Sequence, residues 1–422
     1  MHLVDTTLFY SPTSGGVRRY LTAKHAWLQA NTTYRHSLLV PGERTELNPD
    51  GVSTLAGYKV PGTFNYRLPL SPPTWTAMLD RLQPDLIEVG DAFHPAWSAA
   101  TVAARRGIPL VAFFHSNLPQ IIGRRMGSVI ERAVGRYVAW RYERCDVVLT
   151  PSRLMCETLR GLGVKHTALQ PLGVDTEIFS PQRRVRDLRR DLGLRANTRL
   201  LVYAGRFSGE KNIHVLHGAM QRLGSPYHLL LIGGGRREQP AANVSVLPFR
   251  RDSVELAEWL ASADALVHAG SNETFGLVIL EAMACGLPIV GTRAGAIPEF
   301  VDERVGVLAA PRDIDSMAEA ITALYERDIA ALGRAARARV LARHTWGHAL
   351  QHLLATYASL GRGAVYGIDR QRTAAVSDGQ VLPIARPAHQ HNLISQQISL
   401  QRGIAGSGQP DQQAPILRSA RQ

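Results

Sequence analysis

The alternation of short apolar runs with helical patterns is the feature that most constrains the fold of this chain. Three such runs lie in the first half of the sequence: DLIEVG (85–90), PLVAFF (109–114) and DVVLT (146–150). Four more lie in the second half: LLVYAG (200–205), HLLLIG (228–233), ALVHAG (265–270) and PIVGT (288–292). Apolar strands that alternate with helices build parallel sheets covered on both faces. The sequence therefore predicts an α/β protein.

A break in this pattern divides the chain into two domains. The segment 169–184, LQPLGVDTEIFSPQRR, is rich in turn-forming residues and is followed by a charged helical stretch and a new first strand. We predict one doubly wound domain over 1–172 and a second over 173–345, followed by a helix over 346–360 that returns toward the first domain. Residues 361–422 are rich in Gln, Gly, Ser and Pro, and we expect them to be largely disordered.

Charge and cysteine content limit the partners and the compartment. The chain has 48 Lys and Arg against 35 Asp and Glu, a net charge of +13, which indicates nucleic acid, anionic lipid or a phosphorylated ligand as partner. Stacking aromatics interleaved with basic residues are lacking, which argues against nucleic acid. The three cysteines show no CxxC spacing, and we find neither a signal peptide nor the roughly 20 apolar residues of a spanning helix. We expect a cytoplasmic protein.

Ligands of doubly wound sheets bind beyond the carboxyl ends of the strands, so candidate residues are sought there. Gly15 and Gly16 lie between an apolar start and a helical pattern, and their amides could hold a phosphate, although a plain tight turn explains the pair equally well. Arg206 and Lys211 lie around a short loop after the LLVYAG run. Two cations in this position favour an anion; a solvated basic loop is the alternative.

The segment NETFGLVILEAMACGLP (272–288) places a carboxylate inside an apolar helix. Gly276 indicates a loop before the helix, and Gly286 and Pro288 indicate its end. Glu281 then lies in a helix without a polar face. Because a buried charge is costly without a partner, Glu281 must reach solvent or meet a group in a cleft.

The segments LLVYAG with RFSGEK, HLLLIGGG, and NETFGLVILEAMACGLPIVGTRAGAIPE together resemble the retaining glycosyltransferases of family 4. The resemblance extends over about residues 1–360 and is clearest over 200–300, where Glu273 and Glu281 form an E-x7-E pair. It implies the GT-B fold, in which two Rossmann-like domains face each other across a cleft. The first domain is expected to bind the acceptor and the second a nucleotide sugar.

The resemblance also implies roles for four charged residues. Glu281 is expected to hydrogen-bond the ribose of the donor, and Glu273 to contact the hydroxyls of the transferred sugar. Arg206 and Lys211 would stabilise the negative charge of the leaving diphosphate, and we expect both to be exposed in the cleft. Retention in this family is ascribed to front-face attack, in which the departing phosphate takes the acceptor proton.

Further site residues follow from the same resemblance. The backbone amides around Phe275, Gly276 and Leu277 would face the donor phosphates, where the helix dipole favours negative charge. His115 resembles the active-site histidine near the transferred sugar, although a histidine at a strand end is often structural. Phe249 lies where the family contacts the nucleobase.

Two other polar groups are interpreted as structural. Asp91 and His94 follow the DLIEVG run; contact with acceptor or donor is the alternative, but hydrogen-bonded loop residues are the favoured interpretation. Asp313 and Asp315 fit the DxD pattern of metal-binding glycosyltransferases, but PRDIDSMAEAI is typical of a helix start with its caps. We expect no metal site and no cofactor.

These observations predict a retaining glycosyltransferase that moves a hexose from a UDP- or GDP-sugar. A catalytically silent sugar-nucleotide binding module is the alternative from another class, although the charged set expected of an active enzyme is intact. A Rossmann dehydrogenase is disfavoured because no GxGxxG follows the first strand. The base, the sugar, the acceptor and the linkage stay open.

The segment 105–144 suggests the acceptor, since it contains eight arginines and only two acids. Part of it has a helical pattern with apolar and aromatic residues, which suits either an anionic membrane surface or a core-packed helix with a solvated basic face. The resemblance of FHSNLPQ to enzymes that form glycosyl-diacylglycerols favours peripheral binding at the inner face of the membrane. A lipid acceptor such as diacylglycerol is therefore predicted, with a polysaccharide or polyprenyl-linked glycan as the alternative.

Overall fold

The computed structural model describes residues 1–11, 15–61, 66–235, 241–248 and 252–360, which belong to one compact unit. Phe249 and the tail over 361–422 lie outside the described residues. Within the compact unit, two large parallel sheets are covered by helices. The predicted division at 172/173 falls between these sheets and stays a prediction.

Strands and helices alternate through the first half of the chain. Their bounds are β1 (His2–Thr6), α1 (Gly16–Asn31), β2 (Arg35–Gly42), β3 (Val52–Ala56), β4 (Tyr58–Lys59), β5 (Arg67–Leu68), α2 (Pro72–Arg81), β6 (Leu86–Val89), α3 (His94–Arg106), β7 (Leu110–Phe113), α4 (Leu118–Met126), α5 (Ser128–Tyr142), β8 (Val147–Thr150), α6 (Arg153–Gly161) and β9 (Thr167–Leu169). Apart from the antiparallel pair β4–β5, these strands form one parallel sheet in the order β3-β2-β1-β6-β7-β8-β9. Because β1 lies between β2 and β6, the strand order reverses at β1. A ligand crevice is expected at its carboxyl end.

The second half repeats this architecture. Its elements are α7 (Leu188–Asp191), β10 (Arg199–Phe207), α8 (Ile213–Leu223), β11 (Tyr227–Gly235), β12 (Val244–Pro248), α9 (Ser253–Ala261), β13 (Ala265–Val267), α10 (Leu277–Ala284), β14 (Ile289–Thr292), β15 (Gly306–Ala309), α11 (Ile314–Tyr325), α12 (Ile329–Arg343) and α13 (Trp346–Leu360). The parallel sheet has the order β12-β11-β10-β13-β14-β15. Its order reverses between β10 and β13, which defines a second crevice.

All seven predicted apolar runs are strands. The run ALVHAG is only partly so, because β13 ends at Val267 and the chain then turns into the loop that carries the candidate site. The predicted apolar helix is also confirmed: α10 follows Gly276 and ends shortly before Gly286, both of which have positive φ angles. Glycine adopts this backbone without strain, which explains its place at both ends.

The C-terminal helix α13 packs against α1 of the first lobe. Its Tyr357 accepts a hydrogen bond from Lys24 at 2.8 Å and donates one to Glu88. Lys24 is fully buried and also pairs with Asp5 at 2.8 Å. A buried ammonium is stable only with such partners, so this network holds α13 against the first sheet.

The two lobes also touch beside the crevices. The Ser152 hydroxyl donates to the carbonyl of Thr274 at 2.7 Å. The Glu299 carboxylate accepts hydrogen bonds from the amides of Arg153 and Leu154, at the N-terminus of α6. A carboxylate in this position is favoured by the helix dipole. Within the described part of the chain, no helix is long and apolar enough to cross a membrane.

Candidate active site

The reversal of strand order in the second sheet brings distant charged residues to one edge. Arg206 lies at the end of β10, and Lys211 lies in the 3-10 turn that follows it. Glu273 comes from the loop after β13, the strand next to β10. Parallel neighbours end at the same edge of a sheet, so residues more than 60 positions apart in sequence share one crevice.

Lys211, Glu273 and His268 form a buried cluster. The ammonium of Lys211 is paired with Glu273, and Nε2 of His268 lies 3.1 Å from the same carboxylate oxygen. Nδ1 of His268 accepts from the amide of Gly270 at 3.2 Å, so Nε2 carries the proton and donates to Glu273. Burial by itself would raise the pKa of Glu273, but Lys211 and His268 outweigh burial and hold that pKa well below its usual range. Glu273 is therefore ionised.

The two cations of the predicted diphosphate site differ in exposure. The Arg206 side chain is 53% exposed and lies 3.9 Å from Glu210. Lys211 is only 17% exposed. The expectation of an exposed residue is confirmed for Arg206 and wrong for Lys211, because Lys211 turns inward to neutralise Glu273.

The loop that carries Glu273 is held by hydrogen bonds to its backbone. The side-chain amide of Asn212 donates to the carbonyl of Ala269 at 2.9 Å, and the amide of Ala296 donates to the carbonyl of Glu273 at 2.9 Å. Gly295 has φ +62°, and a Cβ there would lie 2.8 Å from the backbone nitrogen of Glu273. Glycine is therefore required at this position both for its conformation and for the close approach.

Two helix N-termini meet at the cleft. The first turn of α10 begins at Leu277 after Gly276, with no side-chain cap and no acidic residue. The first turn of α1 begins at Gly16 after Gly15, and among the described residues it likewise has neither. A Cβ placed on Gly16 would lie 3.7 Å from Leu277, so the two ends approach closely. Uncapped amides at a helix N-terminus suit an anion such as a diphosphate.

Phe275, which precedes this turn of α10, is buried rather than exposed to the cleft. Its ring packs edge-on against Phe300 with centroids 4.8 Å apart. Its side chain therefore anchors the loop, and only its backbone is available to a donor.

Glu281, the carboxylate inside the apolar helix α10, is buried and has a charged partner. Its side chain is 3% exposed, and one carboxylate oxygen accepts a hydrogen bond from the guanidinium of Arg19 in α1. The other oxygen, Oε2, is buried and has no hydrogen-bond partner among the described residues. The partner thus comes from the opposite lobe.

His115 follows β7 at the first-lobe side of the cleft. Its ring stacks in parallel on Phe113 at 4.1 Å, and Nε2 is buried without a hydrogen-bond partner within the described ranges. Burial, with a smaller contribution from Lys24, lowers the pKa of His115 to about 3. Its carbonyl accepts from the Thr274 hydroxyl at 3.2 Å, which places this neutral imidazole beside the Glu273 loop.

Of the groups interpreted as structural, Asp91, Asp313 and Asp315 have structural partners. The expectation of a hydrogen-bonded loop residue is wrong for His94, which begins α3 and whose buried Nε2 has no hydrogen-bond partner among the described residues. Asp91 accepts hydrogen bonds from the Thr7 hydroxyl and from two backbone amides, as predicted for a loop residue. Asp313 caps α11, and Asp315 pairs with Arg222, so the predicted helix start is confirmed. In the described ranges, His, Cys, Asp and Glu side chains form no group of three or more suited to a metal ion.

Comparison with known proteins places this geometry in a family. Residues 14–178 match the family described as Glycosyltransferase Family 4, and residues 198–327 match the family described as Glycosyl transferases group 1. The chain is 31% identical over 391 residues to a GDP-mannose-dependent alpha-(1-6)-phosphatidylinositol dimannoside mannosyltransferase of Mycobacterium tuberculosis, covering 89% of the chain and 100% of that protein. The chain belongs to glycosyltransferase family 4. This glycosyltransferase is also 28% identical to a sulfoquinovosyl transferase of Arabidopsis thaliana, over 68% of the chain and 60% of that protein.

Solved structures agree with the predicted fold of this glycosyltransferase. Anabaena HepE in complex with UDP and glucose superposes with a TM-score of 0.67 at 20% identity, over 85% of the chain and 99% of HepE. A sucrose-phosphate synthase from Thermosynechococcus elongatus gives a TM-score of 0.68 at 22% identity, over 89% of the chain and 99% of that protein. The GT-B architecture is thereby confirmed.

Sequence reasoning missed three contributors to the site: Arg19, His268 and Gly295. Arg19 lies three residues after the glycine pair in GGVRRY, and the sequence does not distinguish it from its neighbour Arg18. His268 belongs to a run predicted only as a strand. Gly295 lies after β14, in the segment GTRAGAIPE. None of the three positions carries a local signal that identifies the residue it contacts.

Proposed function

We propose that this glycosyltransferase transfers a hexose from a nucleotide sugar to a membrane lipid with retention of configuration, and that the first donor to test is GDP-mannose. The observation that carries the proposal is the convergence of Arg206, Lys211 and the uncapped start of α10 beside Glu281, at the reversal of the second sheet. The GDP-mannose dependence of the full-length mycobacterial relative supports the donor.

Breaking the bond between the sugar and the diphosphate leaves negative charge on the diphosphate as the sugar becomes oxocarbenium-like. The exposed guanidinium of Arg206 and the start of α10 are proposed to stabilise that charge. Lys211 has three donors and can contact the diphosphate while it remains next to Glu273. With these groups as the electrostatic partners, the proposed reaction needs no cofactor.

The sugar would lie between Glu273 and His115. Glu273, ionised and held by Lys211, is proposed to accept hydrogen bonds from sugar hydroxyls. His115 is neutral, and its Nε2 has no hydrogen-bond partner among the described residues, so it can donate a hydrogen bond to the sugar or accept one from it. Front-face attack, with the departing phosphate accepting the acceptor proton, requires no carboxylate nucleophile.

The acceptor surface is proposed to be the hairpin of α4 and α5, here called the basic hairpin. Its exposed side chains include three large apolar residues and four arginines: Ile121, Met126, Val129, Arg124, Arg125, Arg132 and Arg136. The hairpin starts at Leu118, three residues after His115, so a bilayer bound there would present lipid headgroups beside the cleft. Each basic residue near an anionic surface adds about 1 kcal/mol.

Other arginines of the segment 105–144 do not belong to this surface. Arg105 and Arg106 pair with Asp80. Arg141 is 3% exposed, and its guanidinium stacks on Trp97 at 4.2 Å. The surface is thus smaller than the arginine count suggests. We propose a peripheral protein at the inner face of the membrane, and the three buried, free cysteines agree with a reducing compartment.

The test of catalysis uses the full chain, labelled GDP-mannose and UDP-hexoses, and anionic vesicles that carry diacylglycerol or phosphatidylinositol-based glycolipids. Lipid-extractable label that depends on Arg206 supports the proposal. Transfer only to water-soluble glycans would support the alternative acceptor, whereas nucleotide binding without transfer to any acceptor would favour a silent binding module.

The test of the surface is co-sedimentation with anionic vesicles at rising salt. Arg124, Arg125, Arg132 and Arg136 changed together to Ser should abolish binding. The matched control removes four exposed arginines elsewhere, Arg184, Arg190, Arg334 and Arg343. Equal loss in both variants would mean that net charge, not the basic hairpin, drives association.

A further inference from the structure

The ion pair between Arg19 and Glu281 joins the two lobes across 262 positions of sequence. Arg19 lies at the start of α1, where its amide donates to the carbonyl of Gly15 at 3.1 Å. Glu281 lies in α10, whose first residue Leu277 faces Gly16. The pair therefore spans the cleft beside the N-termini of α1 and α10, and the start of α10 is proposed to hold the diphosphate.

The pair leaves half of the carboxylate unsatisfied. Glu281 is almost fully buried, and Oε2 has no hydrogen-bond partner in the described part of the chain. A buried carboxylate oxygen without a hydrogen-bond donor raises the free energy of the folded state. Oε2 of Glu281 can therefore accept hydrogen bonds that Arg19 does not supply. A vicinal diol supplies two hydroxyl donors to one carboxylate and meets that capacity in full.

Arg19 is better placed than Glu281 to leave the pair. Its side chain is 32% exposed, so a released guanidinium reaches water or a phosphate, whereas Glu281 at 3% has no such route. Arginine loses little when it is resolvated, but a carboxylate left buried alone would be strongly destabilised.

We infer that Arg19 is a donor-site residue that occupies Glu281 in the empty enzyme and is displaced by the ribose hydroxyls of the nucleotide. Arg19 thereby lowers nucleotide affinity and makes it depend on the ribose diol. This inference rests on the proposed function, because it takes Glu281 as the ribose ligand.

The experiment measures calorimetric binding of GDP, UDP and their 2′,3′-dideoxy counterparts to the full chain. Arg19→Ala should bind the ribonucleotide about tenfold more tightly than wild type, since no charged pair has to be broken, and should bind the dideoxynucleotide unchanged. The matched control, Arg18→Ala, removes a neighbouring exposed arginine and should change neither.

A merely structural role of Arg19 predicts another pattern. Unchanged or weaker ribonucleotide binding by Arg19→Ala overturns the inference, as does an equal change for both ligands. Should Arg19→Ala fail to fold, Arg19→Lys, which keeps the charge but loses the fork of donors, is expected to show a smaller gain of the same selectivity. If wild type binds neither GDP nor UDP, the proposed function itself falls and takes this inference with it.

The double variant Arg19→Ala/Glu281→Gln isolates the pair. With Glu281→Gln as background, removal of Arg19 should leave the ratio of ribonucleotide to dideoxynucleotide affinity unchanged. A persistent gain in that background would show that Arg19 acts through another group and would overturn the inference.

Discussion

Lys211→Ala and Arg206→Ala are expected to lower turnover alike but to differ in their effect on stability. Both cations are proposed to stabilise the leaving diphosphate. Loss of one such group costs roughly 10²–10³ in turnover, because its contribution grows as charge develops in the transition state. The two residues differ in the ion pair that each forms in the enzyme without donor: Lys211 pairs with Glu273, and Arg206 lies near Glu210.

The expected loss of stability follows from burial. Lys211 and Glu273 are 17% and 12% exposed, so removal of Lys211 leaves a largely buried carboxylate whose remaining partner among the described residues is His268. Breaking a buried pair from one side costs roughly 3 kcal/mol or more, which at about 2–4 °C per kcal/mol lowers the Tm by roughly 6–12 °C. Arg206 and Glu210 are 53% and 37% exposed, and such a surface pair contributes below about 1 kcal/mol.

The assay pairs thermal unfolding without donor with steady-state transfer at saturating donor. Glu273→Gln added to Lys211→Ala removes the orphaned charge, so it should restore most of the Tm without restoring turnover. Equal Tm values for Lys211→Ala and Arg206→Ala would refute the buried pair. Near-wild-type turnover in both variants would refute their role at the diphosphate.

Two further predictions concern the surroundings of the donor site. Gly295→Ala should lower both Tm and turnover, because its Cβ would lie 2.8 Å from the Glu273 nitrogen. The control Gly107→Ala has a similar φ of +67° but open space around the added Cβ, so it should lower Tm only. Equal turnover in the two variants would contradict this role of Gly295. The pKa of His115 near 3 lies below its usual 6.5, so the neutral ring stabilises the fold above pH 6.5 and that contribution is lost as pH falls toward 3. The His115 ring resonance in NMR spectra should therefore not titrate between pH 8 and 5, and a midpoint near 6.5 would show that the ring is solvated.

Local patterns were sufficient to predict the parallel α/β sheets, whereas the candidate site residues and their roles came mainly from the resemblance to a family. Seven apolar runs became strands, because a run with β-branched and aliphatic residues between turn signals suits a doubly covered sheet. The positions of Gly276 and Gly286 predicted the bounds of α10, since glycine tolerates the left-handed backbone at a helix end. The rule that ligands bind beyond the carboxyl ends of parallel strands directed attention to the residues after these strands, but the pairing of β10 with β13 is given by the sheet order of the structure.

The partners of the charged residues were decided only by the tertiary structure. The sequence shows that Glu281 lies in an apolar helix, but not that Arg19 of the other lobe neutralises it. It predicts two exposed cations, whereas Lys211 turns inward to Glu273. The spacing of apolar residues along the sequence indicates which positions are buried, because burial depends on which face of a single helix or strand a residue occupies. The choice of partner depends on how separate elements pack, and residues 62 or 262 positions apart leave no local trace of that choice.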